Sequence, residues 1–279
     1  MLHGAYYFPT DYGMGVDELA RALEERGFES LFLCEHTHIP ISRKTPFPGG
    51  GDLPKRYKHT HDPFVALAFA AAASKTLKLG TGIALIPQRD PIVTAKSVAS
   101  LDQLSNGRFI FAMGGGWNVD EMENHGARYD TRFKLLRERV LAMKEMWTKE
   151  EAGYHGEFVN FEPIWIYPKP KQKPHPPIFL GGESDHTLKR VAEFCDGWFP
   201  RARRGFEPKG AKQRLAAAAA AAGREAKTLS ITVFAAPPDA AKLAPYREAG
   251  IERVLFEVPD ASREEILRTL DRNAELINA

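Results

Sequence analysis

The sequence predicts a single (β/α)8 TIM barrel, and three observations carry that prediction. Short apolar runs alternate with longer helix-period segments eight times along the chain. Several runs are apolar throughout, among them Leu31, Phe32, Leu33 and Ile178, Phe179, Leu180. Such runs are expected when helices cover one face of a parallel sheet and a packed barrel interior covers the other. The length of 279 residues is near the usual size of one such barrel, so residues 1–279 are taken as one domain. An open doubly wound sheet can be built from the same units. Eight strands in this length favour closure.

The first strand is 4–8, stopped by Pro9, and the first helix is 15–26, with Val16, Leu19, Ala20 and Leu23 on its apolar face and Gly27 closing it. Strand two is 28–34. A long excursion rich in Pro and Gly follows over 39–61, and loops of that length are usually functional or mobile. Helix two is 63–74, with Asp62 placed to cap it ahead of Pro63. Then come strand three over 77–85, helix three over 91–105, strand four over 108–113 and helix four over 131–148. A Pro-rich connection carries two extended pieces near 157–161 and 164–167. The chain continues with strand five (177–180), helix five (185–194), strand six (197–199) and a helix holding the alanine run 216–222. Strand seven (229–235), helix seven (240–249), strand eight (254–257) and helix eight (263–277) complete the pattern.

A net charge of +2, with 43% hydrophobic and 27% charged residues, gives no reason to expect nucleic acid or an anionic membrane as partner. The two cysteines, Cys34 and Cys195, fall in core-like segments, which argues against a disulfide framework and suits a reducing compartment. The opening residues run straight into a strand without a secretory leader, and the Ala-rich stretch 66–73 is too short to span a bilayer. The expectation is a soluble, cytoplasmic protein.

In a barrel of this kind the working residues sit where strands end. Strand two ends in Glu35, His36, Thr37 and His38, which makes Glu35 and His36 the catalytic candidates. Strand three carries Thr81, Gly82 and Ile83; an interior glycine often marks a bulge or a close approach by a ligand. Strand four is followed by Gly114, Gly115, Gly116, Trp117 and Asn118, then Asp120 and Glu121. Strand five is followed by Gly181, Gly182, Glu183 and Ser184. Both glycine-rich turns lead toward helices, where backbone N–H groups and the helix N-terminus favour an anion, and Ser184 is placed to cap its helix and to donate to a phosphate oxygen. Either turn could equally be a tight turn without a ligand. Neither has the spacing of a dinucleotide fingerprint or a Walker loop.

His36 and His38 share one face of an extended segment. His36 can act as a lone imidazole that moves a proton near neutral pH, with His38 structural. Alternatively His36 and His38, with His59 and His61, hold a metal for a hydrolase, although the later strand ends supply no histidine. After strand six, Arg201, Arg203 and Arg204 form either a contact for a polyanionic ligand or a solvated basic loop. The loop residues Phe47, Tyr57, Trp117 and Phe199 give the pocket an apolar lining suited to a small organic substrate.

These motifs, taken together, resemble the luciferase-like monooxygenase superfamily, and most of all its coenzyme F420-dependent branch. The most specific stretch is Ser100, Leu101, Asp102, Gln103, Leu104, Ser105, Asn106, Gly107, Arg108 leading to Gly114, Gly115, Gly116, Trp117, Asn118. A second is Pro168, Lys169, Pro170, Gln172, Pro174, Pro176, Pro177 and Ile178 ahead of Gly181 and Gly182; a third is Asp196 to Pro200, and a fourth is Leu33, Cys34, Glu35, His36. They follow in family order over about residues 5–235. The resemblance implies a luciferase-like barrel that works as a homodimer and binds coenzyme F420 (an 8-hydroxy-5-deazaflavin), with FMN as the alternative. It implies that His36 lies beside the reactive ring and that Gly82 and Ile83 form a non-proline cis bulge behind it. By the same resemblance, residues 114–118 and 181–184 surround the ring edge and the phosphate side. Trp117 stands where some deazaflavin dehydrogenases carry an acid, so that donor role does not transfer. The long insertion some members carry before strand eight is not evident, which leaves the pocket open or closed by the 39–60 loop or a partner subunit.

Overall fold

Residues 1–202 and 205–277 are described by a computed structural model. The elements in chain order are β1 (Leu2–Tyr7), α1 (Val16–Glu25), β2 (Ser30–Leu33), α2 (Pro63–Ala73), β3 (Lys78–Thr81), β4 (Ala84–Leu85), α3 (Pro91–Leu104), β5 (Phe109–Gly114), α4 (Val119–Asn124) and α5 (Arg132–Thr148). They continue with β6 (Glu151–His155), β7 (Asn160–Trp165), β8 (Ile178–Gly181), α6 (Asp185–Phe194), β9 (Gly197–Phe199), α7 (Pro208–Ala221), β10 (Ser230–Phe234), α8 (Ala240–Glu248), β11 (Arg253–Glu257) and α9 (Arg263–Glu275). The sheet runs β3-β2-β1-β11-β10-β9-β8-β5-β4, and a further β3–β5 pairing closes it. Because β4 continues the stave begun by β3, the result is an eight-stave parallel barrel.

The continuous apolar runs have a simple geometric cause: successive side chains point to opposite faces, and both faces are buried. Along β2 and its extension, Leu31 and Leu33 pack outward under the helices, while Phe32 and Cys34 point into the barrel. Along β5, Phe109, Phe111 and Met113 face outward and Ile110 and Ala112 inward. Each fully buried Leu or Phe side chain contributes about 1.5–3 kcal/mol relative to exposure. The predicted caps form: Asp62 accepts from the Phe64 and Val65 N–H groups ahead of α2, and Ser184 accepts from Thr187 N at α6.

Three local features differ from the sequence expectation. Strand three divides at Gly82–Ile83, whose peptide is cis, into β3 and β4. The extended pieces expected at 157–161 and 164–167 lie instead at β6 and β7, an antiparallel hairpin. Its turn is held by Glu138 of α5, whose carboxylate accepts from the backbone N–H groups of Glu157, Phe158 and Val159. A short helix, α4, follows the strand-four glycine turn, where no element was expected. Among the described residues, α8 is the one element between β10 and β11. Among the described residues, no helix is long and apolar enough to cross a membrane.

Candidate active site

A cavity of about 390 Å³ opens at the C-terminal ends of the strands. Its back wall comes from β3, β5 and β8, each of which ends in glycine or turns at one. The side chain of Ile83 extends across Gly114 and Gly181: a Cβ at Gly114 would lie 2.2 Å from Ile83 Cδ1, and one at Gly181 would lie 3.1 Å away. A Cβ at Gly115 would meet the Phe133 ring at 2.8 Å. Gly182 has φ +120°, a conformation L side chains rarely adopt. The wall is therefore bare backbone around one isoleucine, a flat face that a planar ring could lie against.

His36 occupies the side of the cavity, at the end of β2. Its ring lies 5.2 Å from the Tyr57 ring and 5.7 Å from Trp117, centroid to centroid. Its backbone carbonyl accepts from Thr60 Oγ1 at 3.0 Å. Its Nδ1 lies 2.8 Å from Oε2 of Glu121, a carboxylate with no exposed surface on α4. His38 turns elsewhere, toward Thr37 Oγ1 and Asn124 Nδ2, both at 2.9 Å. His59 pairs with Asp11. Among the described residues, no group of three or more His, Cys, Asp or Glu side chains is arranged to hold a metal ion.

Glu35 has a different environment from its neighbour. One carboxylate oxygen accepts from the Leu85 N–H at 2.7 Å and the other from Arg89 Nε at 2.6 Å, with Arg89 also bonded to Asp62. Burial pushes the Glu35 carboxyl above the usual carboxylate range, and the Arg89 guanidinium and the Leu85 N–H oppose that rise. These contacts tie the segment after β2 to the end of β4 at Leu85 and to Arg89 ahead of α3.

The excursion 39–61 folds over the opening. Phe47 packs edge-on against Tyr57, with ring centroids 5.1 Å apart. Arg56 reaches across to Glu257 at the end of β11, at 2.6 Å, and its guanidinium lies 4.6 Å over the Phe8 ring. The other side of the loop is fixed by Ser42 donating to Asp120 at 2.7 Å and by the Val119 N–H donating to Thr45 Oγ1 at 3.1 Å. Burial pushes the Tyr57 phenol up to about 12, with the nearby Cys34 thiol adding to the shift. Tyr6, on β1, is raised further by burial and by the Glu257 carboxylate. Both phenols therefore stay neutral hydrogen-bonding groups near pH 7.

At the end of β8, Ser184 caps α6 and its hydroxyl also meets Thr187 Oγ1 at 3.1 Å. Glu183 accepts from the Arg201 guanidinium at 2.9 and 3.0 Å. Arg203 and Arg204, the other cations expected here, lie outside the described residues.

Of the candidates chosen from sequence, Glu35, His36, Gly82, Ile83, Gly114, Gly115, Gly116, Trp117, Gly181 and Gly182 line this one cavity. The loop aromatics Phe47, Tyr57 and Phe199 line it too. Thr81 lies behind the wall, fully buried, donating to the Ala112 carbonyl at 2.5 Å. Asn118 is buried at the start of α4, and Glu183 and Ser184 sit at the head of α6, off the wall. The sequence reading names Glu121 after strand four without giving it a role, and does not single out Arg89, Arg56 or Phe133. Glu121 was visible as an acid just past a glycine turn, but α4 is too short to show a helical period.

A family model described as luciferase-like monooxygenase matches residues 14–277. An uncharacterized protein of Mycobacterium tuberculosis is 41% identical over 281 residues, covering 98% of each chain. The FMNH(2)-dependent dimethylsulfone monooxygenase of Pseudomonas putida is 31% identical over 161 residues, covering 56% of this chain and 44% of its own. Among solved structures, a monooxygenase from Streptomyces bottropensis superposes with a TM-score of 0.82 at 20% identity, covering 100% of this chain and 99% of its own. The coenzyme F420-dependent tetrahydromethanopterin reductase from Methanopyrus kandleri superposes with a TM-score of 0.76 at 16% identity, covering 99% and 98%. At these identities the structural matches speak to the fold.

Proposed function

The chain belongs to the luciferase-like monooxygenase family, and from that premise we propose that it is a coenzyme F420-dependent oxidoreductase that moves a hydride between the deazaflavin and a small organic substrate. The family joins F420-dependent oxidoreductases and FMN-dependent monooxygenases. The observation that carries a planar redox coenzyme is the glycine-lined wall at Gly82, Gly114 and Gly181 with His36 at its side, and among such coenzymes the sequence motifs favour the deazaflavin. That wall offers a face of backbone crossed only by the Ile83 side chain, on which a tricyclic ring can stack. A bound deazaflavin supplies a hydride-carrying carbon, whereas a bound reduced FMN supplies a ring that activates oxygen.

The chain's own residues have distinct proposed tasks. Ile83, Gly82, Gly114, Gly115, Gly116 and Trp117 bind and orient the ring. Gly181, Gly182 and Ser184 take the phosphate side at the positive end of α6, with Glu183 holding Arg201 in place. Thr81 and Asn118 stiffen the wall from behind. His36 carries a proton at its cavity-facing nitrogen, and Glu35 is a positioning residue that acts through Arg89. Phe47 and Tyr57 exclude water from above.

The second reading, an FMN-dependent monooxygenase on the same scaffold, is favoured by the P. putida relative. Titrating the protein with each coenzyme separates the two. At least tenfold tighter binding of F420, about 1.4 kcal/mol, supports the first reading. The reverse order with FMN-dependent oxygen uptake supports the second, and binding of neither defeats both.

We also infer a homodimer. Val65, Phe69, Val93 and Leu104 are exposed on α2 and α3, a run of apolar surface that a second copy would cover. Phe69→Lys is expected to shift the sedimentation coefficient to that of a monomer; an unchanged value removes this face from the interface. The free, buried thiols of Cys34 and Cys195 suit the proposed cytoplasmic location.

A further inference from the structure

The Nε and Nη2 groups of an arginine lie side by side and match the two oxygens of a carboxylate. This fold uses that edge repeatedly. Arg253 holds Glu29 with it, both bonds at 2.8 Å, and Arg201 holds Glu183 with it at 2.9 and 3.0 Å. At the surface Arg128 holds Asp130 in the same way. Arg56 differs from all three. Its one hydrogen bond among the described residues runs from Nη1 to Glu257 at 2.6 Å, and its Nε is buried without a partner among them. Arg132 and Arg139 also bury an Nε without such a partner, but neither lines the cavity, whereas Arg56 does.

The other charged groups of the cavity lining are already engaged at this edge or its equivalent. Glu35 takes the Leu85 N–H and the Arg89 guanidinium, and Arg201 takes Glu183. The pairing of Arg56 with Glu257 leaves it able to attract an anion, because the Glu257 side chain is 44% exposed against 20% for Arg56. Water therefore screens the acid more than the base. One face of the Arg56 guanidinium is covered by the Phe8 ring, which fixes the plane in which its edge lies. A buried donor without an acceptor is destabilising, and an oxygen brought by a ligand would remove that penalty.

We propose that Arg56 is a specificity-determining residue that receives a carboxylate of the substrate on its Nε–Nη2 edge, so that the site takes an organic acid with an apolar body. The body fits the remaining lining, where Phe47, Tyr57, Trp117, Phe199 and Phe234 supply aromatic surface. Arg56 stands over Phe8 after β1 and reaches Glu257 of β11, whereas Ser184 follows β8. In the barrel β1 and β8 are four staves apart, on opposite sides of the mouth. The substrate's anion is thus kept apart from the side assigned to the coenzyme phosphate. The inference deepens the function proposed above and rests on this cavity being the substrate's site.

Phenylacetate and 2-phenylacetamide share one apolar body and differ in the charge of the head group. Titrated into the full chain without coenzyme and followed by calorimetry, phenylacetate should bind at least tenfold more tightly. Arg56→Gln should bring that ratio close to one. Arg56→Lys keeps the charge without the planar edge and should fall between them; a full ratio there overturns the role of the edge. Arg201→Gln should leave the ratio as it is in wild type. Equal binding of acid and amide by wild type, or binding of neither, overturns the proposal without recourse to any variant. A tenfold preference that survives Arg56→Gln overturns it too. So does a preference lost in Arg201→Gln and kept in Arg56→Gln, which would put the anion on the phosphate side. The coenzyme titration, in which neither compound takes part, decides the underlying reading separately.

Discussion

Two successive layers of the barrel interior are built from the same small set of residue types and end up doing opposite things. The middle layer contains Phe32, Gly80, Ala112, Phe179 and Gly197. Two residues further along each strand, and so on the same face, the mouth layer contains Cys34, Gly82, Gly114, Gly181 and Phe199. In the middle layer each glycine is occupied by a neighbour's ring. A Cβ at Gly80 would lie 2.3 Å from Phe32 Cε1, and one at Gly197 would lie 2.3 Å from Phe179 Cε1. In the mouth layer, the atoms nearest to a Cβ at Gly114 and Gly181 belong to the tip of one side chain, Ile83. Glycine next to a phenylalanine makes a plug, and glycine next to glycine makes a wall. Stability is therefore concentrated one layer below the site, and the mouth is left with space to bind.

The strongest test of that division is Phe179→Ala. Removing a ring that fills the Gly197 position should cost about 3–5 kcal/mol, read as a lower denaturation midpoint. Coenzyme affinity of the remaining folded protein should change little. A large loss of affinity with unchanged stability would reverse the roles of the two layers. A somewhat smaller effect is expected at the closed end of the barrel, where His3 is buried beside Phe256. Burial, the positive charge of Arg247 and the chain's N-terminal amine lower its pKa from 6.5 to about 4. The fold thus favours neutral His3, so its contribution is complete above pH 6.5 and is lost as pH falls toward 4, where the unfolded chain binds the extra proton. At about 1.4 kcal/mol per unit the loss approaches 3 kcal/mol. Unfolding midpoints measured from pH 7 to 4 should therefore fall more steeply for wild type than for His3→Gln. Parallel pH curves would place the acid-sensitive group elsewhere.

The sequence makes the plug easier to read than the wall. Runs such as Leu31, Phe32, Leu33 announce strands buried on both faces, and Asp62 and Ser184 announce helix starts, because the relevant partners lie within a few residues. The glycine turns and His36 were legible as strand ends. What the sequence does not display is pairing over distance. His36 meets Glu121 across 85 positions, and Glu35 meets Arg89 across 54. Each contact depends on how staves register around the barrel, which no local pattern encodes. The β6–β7 hairpin was displaced for a related reason. Glu151, Ala152, Gly153, Tyr154 and His155 have no strand-like alternation, and what holds the turn is a carboxylate from α5.

The mildest change is the most discriminating one. Gly114 has a backbone conformation open to any residue, so Gly114→Ala carries no penalty from φ. Its new methyl would sit 2.2 Å from Ile83 Cδ1, the free end of a side chain that can rotate, and 3.4 Å from Cγ1. Ile83 must then swing away from the wall, and the direction left to it is the cavity. Folding should lose no more than about 1 kcal/mol, because only a flexible tip is displaced. Affinity for F420 and for FMN should fall together by roughly tenfold or more, about 1.4 kcal/mol, since both planar rings need the same face. Unequal losses would identify which coenzyme uses this wall. If affinity stays intact while the melting temperature drops as it does for Phe179→Ala, Gly114 belongs to the plug, and the boundary between the two layers lies higher in the barrel.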